Sequence, residues 1–137
     1  TCLDTSGGLP LTDEIKELLK YTDLVLLDIK HIDNQKAINL TSVSNKNELE
    51  LAKYLSDNGI KMWIRQVLIP GYTDNPKDLK KLKDFIDSLK TVEKIEILPY
   101  HDFGKYKWKE LGEKYELENV PSPTDEEIQK AKNILGI

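Results

Sequence analysis

The chain has 137 residues, of which 39% are hydrophobic and 32% are charged, and its formal net charge is -4 at pH 7. This length allows one domain with a hydrophobic core, and the acidic balance counts against a nucleic-acid-binding surface. No apolar run approaches the ~20 residues of a membrane-spanning helix, so we expect no membrane partner. The single cysteine, Cys2, excludes an intrachain disulfide. No signal-peptide pattern opens the sequence, and we expect a cytoplasmic location.

The first part of the chain predicts two strands and a helix. A strand ends at Leu3–Thr5, before a Ser-Gly-Gly loop. Thr12 is a candidate N-cap for a short helix with apolar residues at helical spacing. The continuous apolar run Leu24–Leu27 is typical of a strand that is buried on both faces of a parallel sheet. The polar stretch 31–44 then predicts a long loop, and long structured loops are often functional.

Helices and strands continue to alternate in the second part. A helix is predicted over 45–59, and its first residues, an Asn and a Glu three apart, form a candidate capping box. Residues 60, 62 and 64 alternate with residues 61, 63 and 65, and an apolar run over 67–69 extends this pattern, which predicts a strand. Asp74 or Asn75 is a candidate N-cap for a proline-initiated helix over 76–89, and a short strand over 95–98 follows. The last helix, over 124–136, begins with a capping box and ends at a glycine.

This order of elements predicts an α/β fold with a parallel sheet and right-handed crossovers. A barrel-like arrangement and an open doubly wound sheet both fit the order. The sequence lacks a Gly-x-Gly-x-x-Gly motif and a Walker lysine loop, which counts against the nucleotide-binding open sheets. Polar residues instead follow the strands, namely Asp4, Thr5, Asp28, Lys30 and His101. Barrel enzymes build their sites from such strand ends, so we expect a ligand site at this edge.

The residue types at this edge suit particular ligands. Asp4, Thr5 and Asp28 offer hard oxygen donors, which suit sodium, potassium or magnesium better than a soft transition metal. Lys30 carries a positive charge that can hold a carboxylate or a phosphate. His101 can exchange a proton near neutral pH. The residue chemistry by itself leaves the reaction open.

Each of these residues also has a purely structural interpretation. A strand-end aspartate commonly caps a loop, and Asp28 could pair with Lys30, which is two residues further on and faces the same way. Arg65 lies further back in its strand, on the opposite face from Ile64, and could reach the same site or neutralise an internal acid. The sequence has no nucleophile-elbow motif, and one cysteine with two histidines gives no ordinary zinc site.

Five motifs stand in order along the chain: Thr1–Gly7, Leu24–Lys30, Trp63–Gly71, Val92–His101 and Gly104–Trp108. With these motifs the sequence resembles the C-terminal half of the glycyl-radical-enzyme activating enzymes, which belong to the radical S-adenosylmethionine (SAM) family. The resemblance covers nearly the whole chain. Each motif is short, but their shared order and spacing make the resemblance specific.

The resemblance implies a partial TIM-like (β/α)6 barrel, of which residues 1–137 form the C-terminal part. It implies a 4Fe-4S cluster on a Cys-x3-Cys-x2-Cys loop, and a reduced cluster that cleaves SAM to a 5′-deoxyadenosyl radical. That radical takes a hydrogen atom from a glycine of a glycyl-radical enzyme. Pyruvate formate-lyase is the expected protein substrate, and a flavodoxin or ferredoxin the expected electron donor. With Cys2 as its single cysteine, the chain cannot ligate the cluster, so we expect a fragment that is inactive alone.

Matched residue by residue, the resemblance implies two adjacent sites. The residues that match SAM-binding positions are Asp28, Ile29, Lys30, His101 and Arg65, and for Arg65 the partner could be SAM or the substrate peptide. The residues that match a monovalent-cation site for Na⁺ or K⁺ are Asp4, Thr5, Asp28 and, through its backbone carbonyl, Leu26. Ser42 departs from the glycine that is usual in the family, which puts the backbone conformation of its loop in question.

Other functions stay open at this point. The missing cysteines and the aromatic stretch around Trp108 would also suit a non-catalytic interaction module. A cluster-free barrel enzyme could instead hold a divalent metal at Asp4 and Asp28. Within the family the target enzyme is open as well, because activating enzymes for several glycyl-radical enzymes share these motifs.

Overall fold

The computed structural model describes residues 2–5, 11–41, 44–100 and 122–137. Strands and helices alternate along these residues in the order β1 (Cys2–Thr5), α1 (Asp13–Leu19), β2 (Leu24–Asp28), α2 (Asn34–Thr41), α3 (Lys46–Asp57), β3 (Lys61–Leu68), α4 (Pro76–Asp87), β4 (Val92–Pro99) and α5 (Asp125–Leu135). The strands and helices predicted from the sequence are present, and one further helix, α2, joins them.

The strands form a parallel sheet in the order β1-β2-β3-β4. Its register aligns Asp4 of β1 with Leu26 of β2, and Asp28 of β2 with Arg65 of β3. Helices connect successive strands, because parallel neighbours can be joined only by a crossover. The prediction of an α/β fold with a parallel sheet is confirmed.

Three helices begin at the N-caps that their sequences predict. The Thr12 hydroxyl accepts a hydrogen bond from the backbone N–H three residues on, at 3.2 Å. The Asn75 side chain accepts one from the N–H two residues on, at 2.9 Å. Thr124 and Glu127 bond each other's backbone N–H reciprocally, at 3.2 and 3.0 Å. These short-range bonds satisfy N–H groups that the first helical turn leaves without a partner.

The capping-box prediction is wrong at the start of α3. Asn45 occupies the N-cap position there, but its side chain makes no capping bond. Its amide instead donates to the carbonyls of His31 at 3.0 Å and Ile32 at 2.8 Å. The side chain thus connects the start of α3 to the chain that leaves β2.

The polar stretch 31–44 is not a loop throughout, because it contains α2. Asp33 precedes this helix and accepts a hydrogen bond from the Lys36 N–H at 3.0 Å, in the manner of an N-cap. Ala37 and Leu40 are the buried residues of the helix. Two apolar residues three apart are a weak periodic signal, which is why the sequence pattern predicts a loop here.

The helices pack against one face of the sheet. Val25 and Leu27 of β2 and Ile64 of β3 are fully buried there, in one apolar cluster with residues of α1, α3 and α4. Leu24 and Leu26, which alternate with them, are only partly buried. The prediction that Leu24–Leu27 is buried on both faces is therefore wrong for the part of the chain that the structure describes.

The second face of the sheet carries polar as well as apolar residues. Arg65 lies on it while Ile64 lies on the packed face, as strand alternation predicts. Residues at matched register positions share this side, which we call the open face: Asp4, Leu26, Asp28, Trp63, Arg65, Lys94 and Glu96.

Candidate functional site

Three predicted site residues, Asp4, Asp28 and Arg65, meet on the open face near the carboxyl ends of β1 and β2. The Arg65 Nε donates to Asp28 Oδ1 at 2.6 Å, and its terminal N–H₂ donates to Asp4 Oδ1 at 2.5 Å. Both bonds are charge-assisted, and the planar guanidinium has enough donors to serve both carboxylates at once. Arg65 is thus the shared counter-ion of the two aspartates.

Burial differs strongly between the members of this cluster. The side chain of Arg65 is 16% exposed and that of Asp28 is 22% exposed, whereas that of Asp4 is 63% exposed. The Arg65–Asp28 pair is therefore largely shielded from water, and the Arg65–Asp4 pair is not. Because water screens exposed charges, the first pair dominates the energetics of the cluster.

Burial also controls the ionisation of the pair. Loss of solvent raises the pKa of the Asp28 carboxyl, and this outweighs the lowering by the charge and hydrogen bond of Arg65 and by the charge of Lys30. Burial opposes the charge of Arg65 as well, but the bonds to Asp4 and Asp28 outweigh it and raise the guanidinium pKa. Arg65 thus favours the ionised form of Asp28 and burial opposes it, with burial the larger effect.

Thr5 and Leu26 differ from the two aspartates because only their backbone atoms would contact a ligand at this site. Thr5 is aligned with the fully buried Leu27 and is itself 7% exposed, so its side chain lies on the packed face, away from Asp4. Any ligand role for Thr5 beside Asp4 would therefore use its backbone. Leu26 lies on the open face, aligned with Asp4, and its predicted role also involves its backbone carbonyl.

The segment Asp28–Lys30 continues from β2 along β3. The Ile29 N–H donates to the Arg65 carbonyl at 2.9 Å, and the Lys30 carbonyl accepts a bond from the Gln66 side chain at 3.1 Å. Ile29 is 1% exposed and belongs to the main apolar core. Its side chain is therefore committed to packing, and only its backbone is available to a ligand.

A buried histidine next to this segment was not assigned a role by sequence reasoning. His31 has its Nε2 3.0 Å from the Tyr72 carbonyl, and its Nδ1 accepts a bond from the Asp33 N–H at 3.0 Å. These two partners require the neutral Nε2–H tautomer. Burial lowers the pKa of His31, although the Tyr72 carbonyl and Asp78 favour its charged form. The sequence feature that could have identified His31 is its position shortly after the end of a predicted strand.

Asp78 joins this histidine to an ion pair in which the carboxylate is buried and the Lys36 side chain is 45% exposed. Its carboxylate lies 2.5 Å from the Lys36 ammonium and 3.7 Å from His31 Nε2. The bond to Asp78 raises the pKa of Lys36. The pair connects α2 to the start of α4, beside the carboxyl ends of β2 and β3.

The open face also has an aromatic and charged region further from this edge. The Lys94 ammonium lies 4.9 Å from the centre of the Trp63 ring and 2.8 Å from the Glu96 carboxylate. Such a mixture of aromatic and charged groups is unusual for an apolar core.

Part of the predicted site lies elsewhere. His101 is outside the described residues, as are Ser42 and the aromatic stretch around Trp108. Across residues 2–5, 11–41, 44–100 and 122–137, no three His, Cys, Asp or Glu side chains are grouped so as to hold a metal ion. In the same residues no helix has the length and apolar character to cross a bilayer.

Comparison with known proteins defines the class to which this fold and site belong. The family profile described as the Radical SAM superfamily matches residues 1–86. The chain belongs to the radical SAM superfamily, and the family resemblance seen in its motifs is confirmed. Membership implies SAM and a 4Fe-4S cluster as the cofactors of the family.

The curated relatives narrow this class. The pyruvate formate-lyase-activating enzymes of Staphylococcus aureus strains USA300 and COL are each 54% identical to the chain over 136 residues. The matched region is 96% of this chain and 54% of each relative. The chain thus spans about half the length of the curated relatives that it matches.

Solved structures support the fold. A domain of a pyruvate-formate lyase-activating enzyme from Bacteroides vulgatus superposes with a TM-score of 0.80 at 25% identity, over 98% of this chain and 74% of that one. Streptococcus suis SuiB bound to S-adenosylmethionine superposes with a TM-score of 0.72 at 16% identity, over 99% of this chain and 29% of SuiB. The prediction of part of a TIM-like radical SAM barrel is confirmed.

Proposed function

We propose that this chain is the C-terminal part of the catalytic domain of a radical SAM activating enzyme that forms a glycyl radical on pyruvate formate-lyase. The 54% identity to activating enzymes over almost the whole chain is the observation that carries the proposal. The reaction belongs to the intact protein, in which residues 1–137 supply SAM- and cation-binding groups. The chain alone is expected to be inactive.

The segment Asp28–Lys30 is the proposed centre of SAM binding. It lies at the carboxyl end of β2, where parallel sheets of this kind bind their ligands. Lys30 supplies a positive charge for the methionine carboxylate, and Ile29 can contribute only through its backbone, because its side chain is buried. Arg65 supports this segment by neutralising Asp28. The contribution of His101 rests on the motif alone.

A monovalent cation fits the charge of the neighbouring cluster. Asp4 and Asp28 together carry two negative charges when ionised, and Arg65, which bonds both, returns one positive charge, so these three residues leave a single net negative charge before the charge of Lys30 is counted. Arg65 bonds Oδ1 of each carboxylate, so the second oxygen of each is a hard donor suited to Na⁺ or K⁺. We propose that these oxygens and the backbone carbonyls of Thr5 and Leu26 form the cation site.

The iron-sulfur cluster does not fit the residues of this chain. Cluster ligation requires several cysteine thiolates, and the chain has one cysteine, which is exposed at the start of β1. In the intact protein such a cluster would supply an electron to SAM, and its ligands would come from residues other than those of this chain. A flavodoxin or ferredoxin is the proposed electron donor, and the reducing cytoplasm the proposed location.

The test uses the protein encoded by the complete reading frame, reconstituted anaerobically with iron and sulfide. It is mixed with SAM, a reductant and pyruvate formate-lyase, and the glycyl radical is measured by electron paramagnetic resonance. We expect a radical signal with the wild type and its loss in Lys30→Met. Lys20→Met is the matched control, because Lys20 is an exposed lysine at the end of α1 that pairs with Glu17.

Three results would contradict the proposal or a part of it. A fully loaded cluster that gives no radical on pyruvate formate-lyase would refute the assigned activity. A radical on a different glycyl-radical enzyme under the same conditions would change the substrate and leave the chemistry in place. Equal losses in Lys30→Met and Lys20→Met would refute the assignment of Lys30.

A further inference from the structure

A buried polar network holds the chain where it leaves β2. We call residues 29–33 the exit segment. Three side chains, those of His31, Asn45 and Gln66, hydrogen-bond to the backbone of this segment. Each is almost fully buried: His31 is 2% exposed, Gln66 3% and Asn45 4%. Burying an amide or an imidazole is costly unless it is hydrogen-bonded, so these groups are held by their bonds.

Gln66 fixes the first half of the exit segment. It lies on the packed face of β3 between Ile64 and Leu68, both fully buried, where alternation predicts an apolar residue. Its Nε2 donates to the carbonyls of Lys30 and Val67, each at 3.1 Å. A polar side chain at a core position thus bonds the backbone of the lysine that the proposed function assigns to SAM.

Asn45 and His31 fix the second half. The Asn45 amide donates to the carbonyls of His31 and Ile32, at 3.0 and 2.8 Å. The His31 ring bridges the Asp33 N–H and the Tyr72 carbonyl, so it joins the exit segment to the loop after β3. The exit segment is therefore tied both to α3 and to the chain beyond β3.

These contacts begin where the strand ends. β2 ends at Asp28, and beyond it the ladder bond from Ile29 to Arg65 is followed by the side-chain bonds of the network. Asp28 and Lys30 flank this transition, so their positions depend on how firmly the exit segment is held. Supporting hydrogen bonds of this kind orient the residues that contact a ligand.

We propose that Gln66, Asn45 and His31 are positioning residues that hold Asp28 and Lys30 in the geometry that binds SAM. This inference rests on the proposed function for its ligand, while the holding of the exit segment rests on the contacts alone. None of the three needs to touch SAM. Their role is to keep two charged residues at fixed places on the edge of the sheet.

The test compares substitutions in the network with a substitution of a buried residue near the amino-terminal ends of the strands, far from the exit segment. Gln66→Met keeps the volume of the side chain and removes its donors. His31→Asn keeps an acceptor near Nδ1 but cannot reach Tyr72, whereas His31→Gln keeps a donor for Tyr72. Ser56→Ala is the control, because the Ser56 hydroxyl, 7% exposed, accepts a bond from the Lys90 N–H at 2.8 Å, before β4.

SAM binding is measured by calorimetry on the protein from the complete reading frame, and thermal unfolding on the same samples. We expect the Kd for SAM to rise roughly tenfold in Gln66→Met and His31→Asn. His31→Gln should recover most of the affinity. Ser56→Ala should lower the melting temperature with no change in Kd. Hydrogen exchange at the Ile29 and Asp33 amides should accelerate in the network variants alone.

The outcomes distinguish the assignment of SAM as the ligand from the positioning role of the network. A wild type that does not bind SAM would overturn the proposed function and the ligand named here. Unchanged exchange at the Ile29 and Asp33 amides in both Gln66→Met and His31→Asn would overturn the positioning role by itself. Equal weakening of SAM binding in Ser56→Ala would show a general effect of stability and would also overturn it. If Gln66→Met or His31→Asn fails to fold, the positioning role is judged from the one that folds.

Discussion

Replacing Arg65 with methionine should be among the most damaging single changes on the open face. Methionine keeps much of the apolar stem and removes the charge, so Asp28 loses its counter-ion in a position that is 22% exposed. A charge-assisted bond of this kind contributes about 1.5–3 kcal/mol, and the pair with the exposed Asp4 at most about 1 kcal/mol. We therefore expect the free energy of unfolding to fall by about 2–4 kcal/mol at pH 7.

The substitution should also change how stability depends on pH. Burial already raises the pKa of Asp28 above its ordinary value, so the folded state binds a proton there more readily than the unfolded state. The contribution of Asp28 to the free energy of unfolding is therefore present at low pH, and it is lost as pH rises through the pKa that Asp28 has in the folded state. Without Arg65 the pKa rises further, so Arg65→Met should regain stability on acidification from neutral pH, relative to the wild type.

Urea unfolding followed by circular dichroism and tryptophan fluorescence checks both statements. Asp4→Asn is the control, because it removes the exposed partner and should cost less than about 1 kcal/mol. The double variant Arg65→Met with Asp28→Asn should recover part of the loss, since it removes the unpaired charge. The reasoning is refuted if Arg65→Met costs no more than Asp4→Asn, or if acidification destabilises it more than the wild type.

Three further outcomes follow from the structure. Burial lowers the pKa of His31 below its ordinary value despite Asp78, so the folded state binds fewer protons there than the unfolded state. The free energy of unfolding should therefore fall as pH drops below about 6.5. In His31→Gln the urea midpoint should no longer show this dependence on pH. Ile64→Ala empties a fully buried position of β3 and should cost about 2–5 kcal/mol in urea unfolding; a cost under 1 kcal/mol would mean that the site collapses. Thr124→Ala removes the capping bond of α5 and should cost about 1 kcal/mol, whereas Thr124→Ser should cost almost nothing by the same measurement.

Much of the fold could be predicted from the sequence because its causes are local. The Thr12, Asn75 and Thr124 caps each bond an amide two or three residues away, and such bonds are written in adjacent residues. The alternation over 60–65 and the apolar run over 67–69 likewise predicted β3. The placement of Asp28 at the end of an apolar strand predicts a ligand site at that edge, which stays a prediction, and the motifs in matching order predicted the family.

What the tertiary structure alone decided are contacts between residues far apart in the chain. Arg65 meets Asp28 across 37 residues and Asp4 across 61, and only the register of the parallel strands brings them together. The bond between His31 and Tyr72 spans 41 residues in the same way. Local patterns identify which residues are polar, but partners depend on how the strands pair and where the helices pack. For this reason the sequence could name Asp28 and leave its counter-ion undetermined.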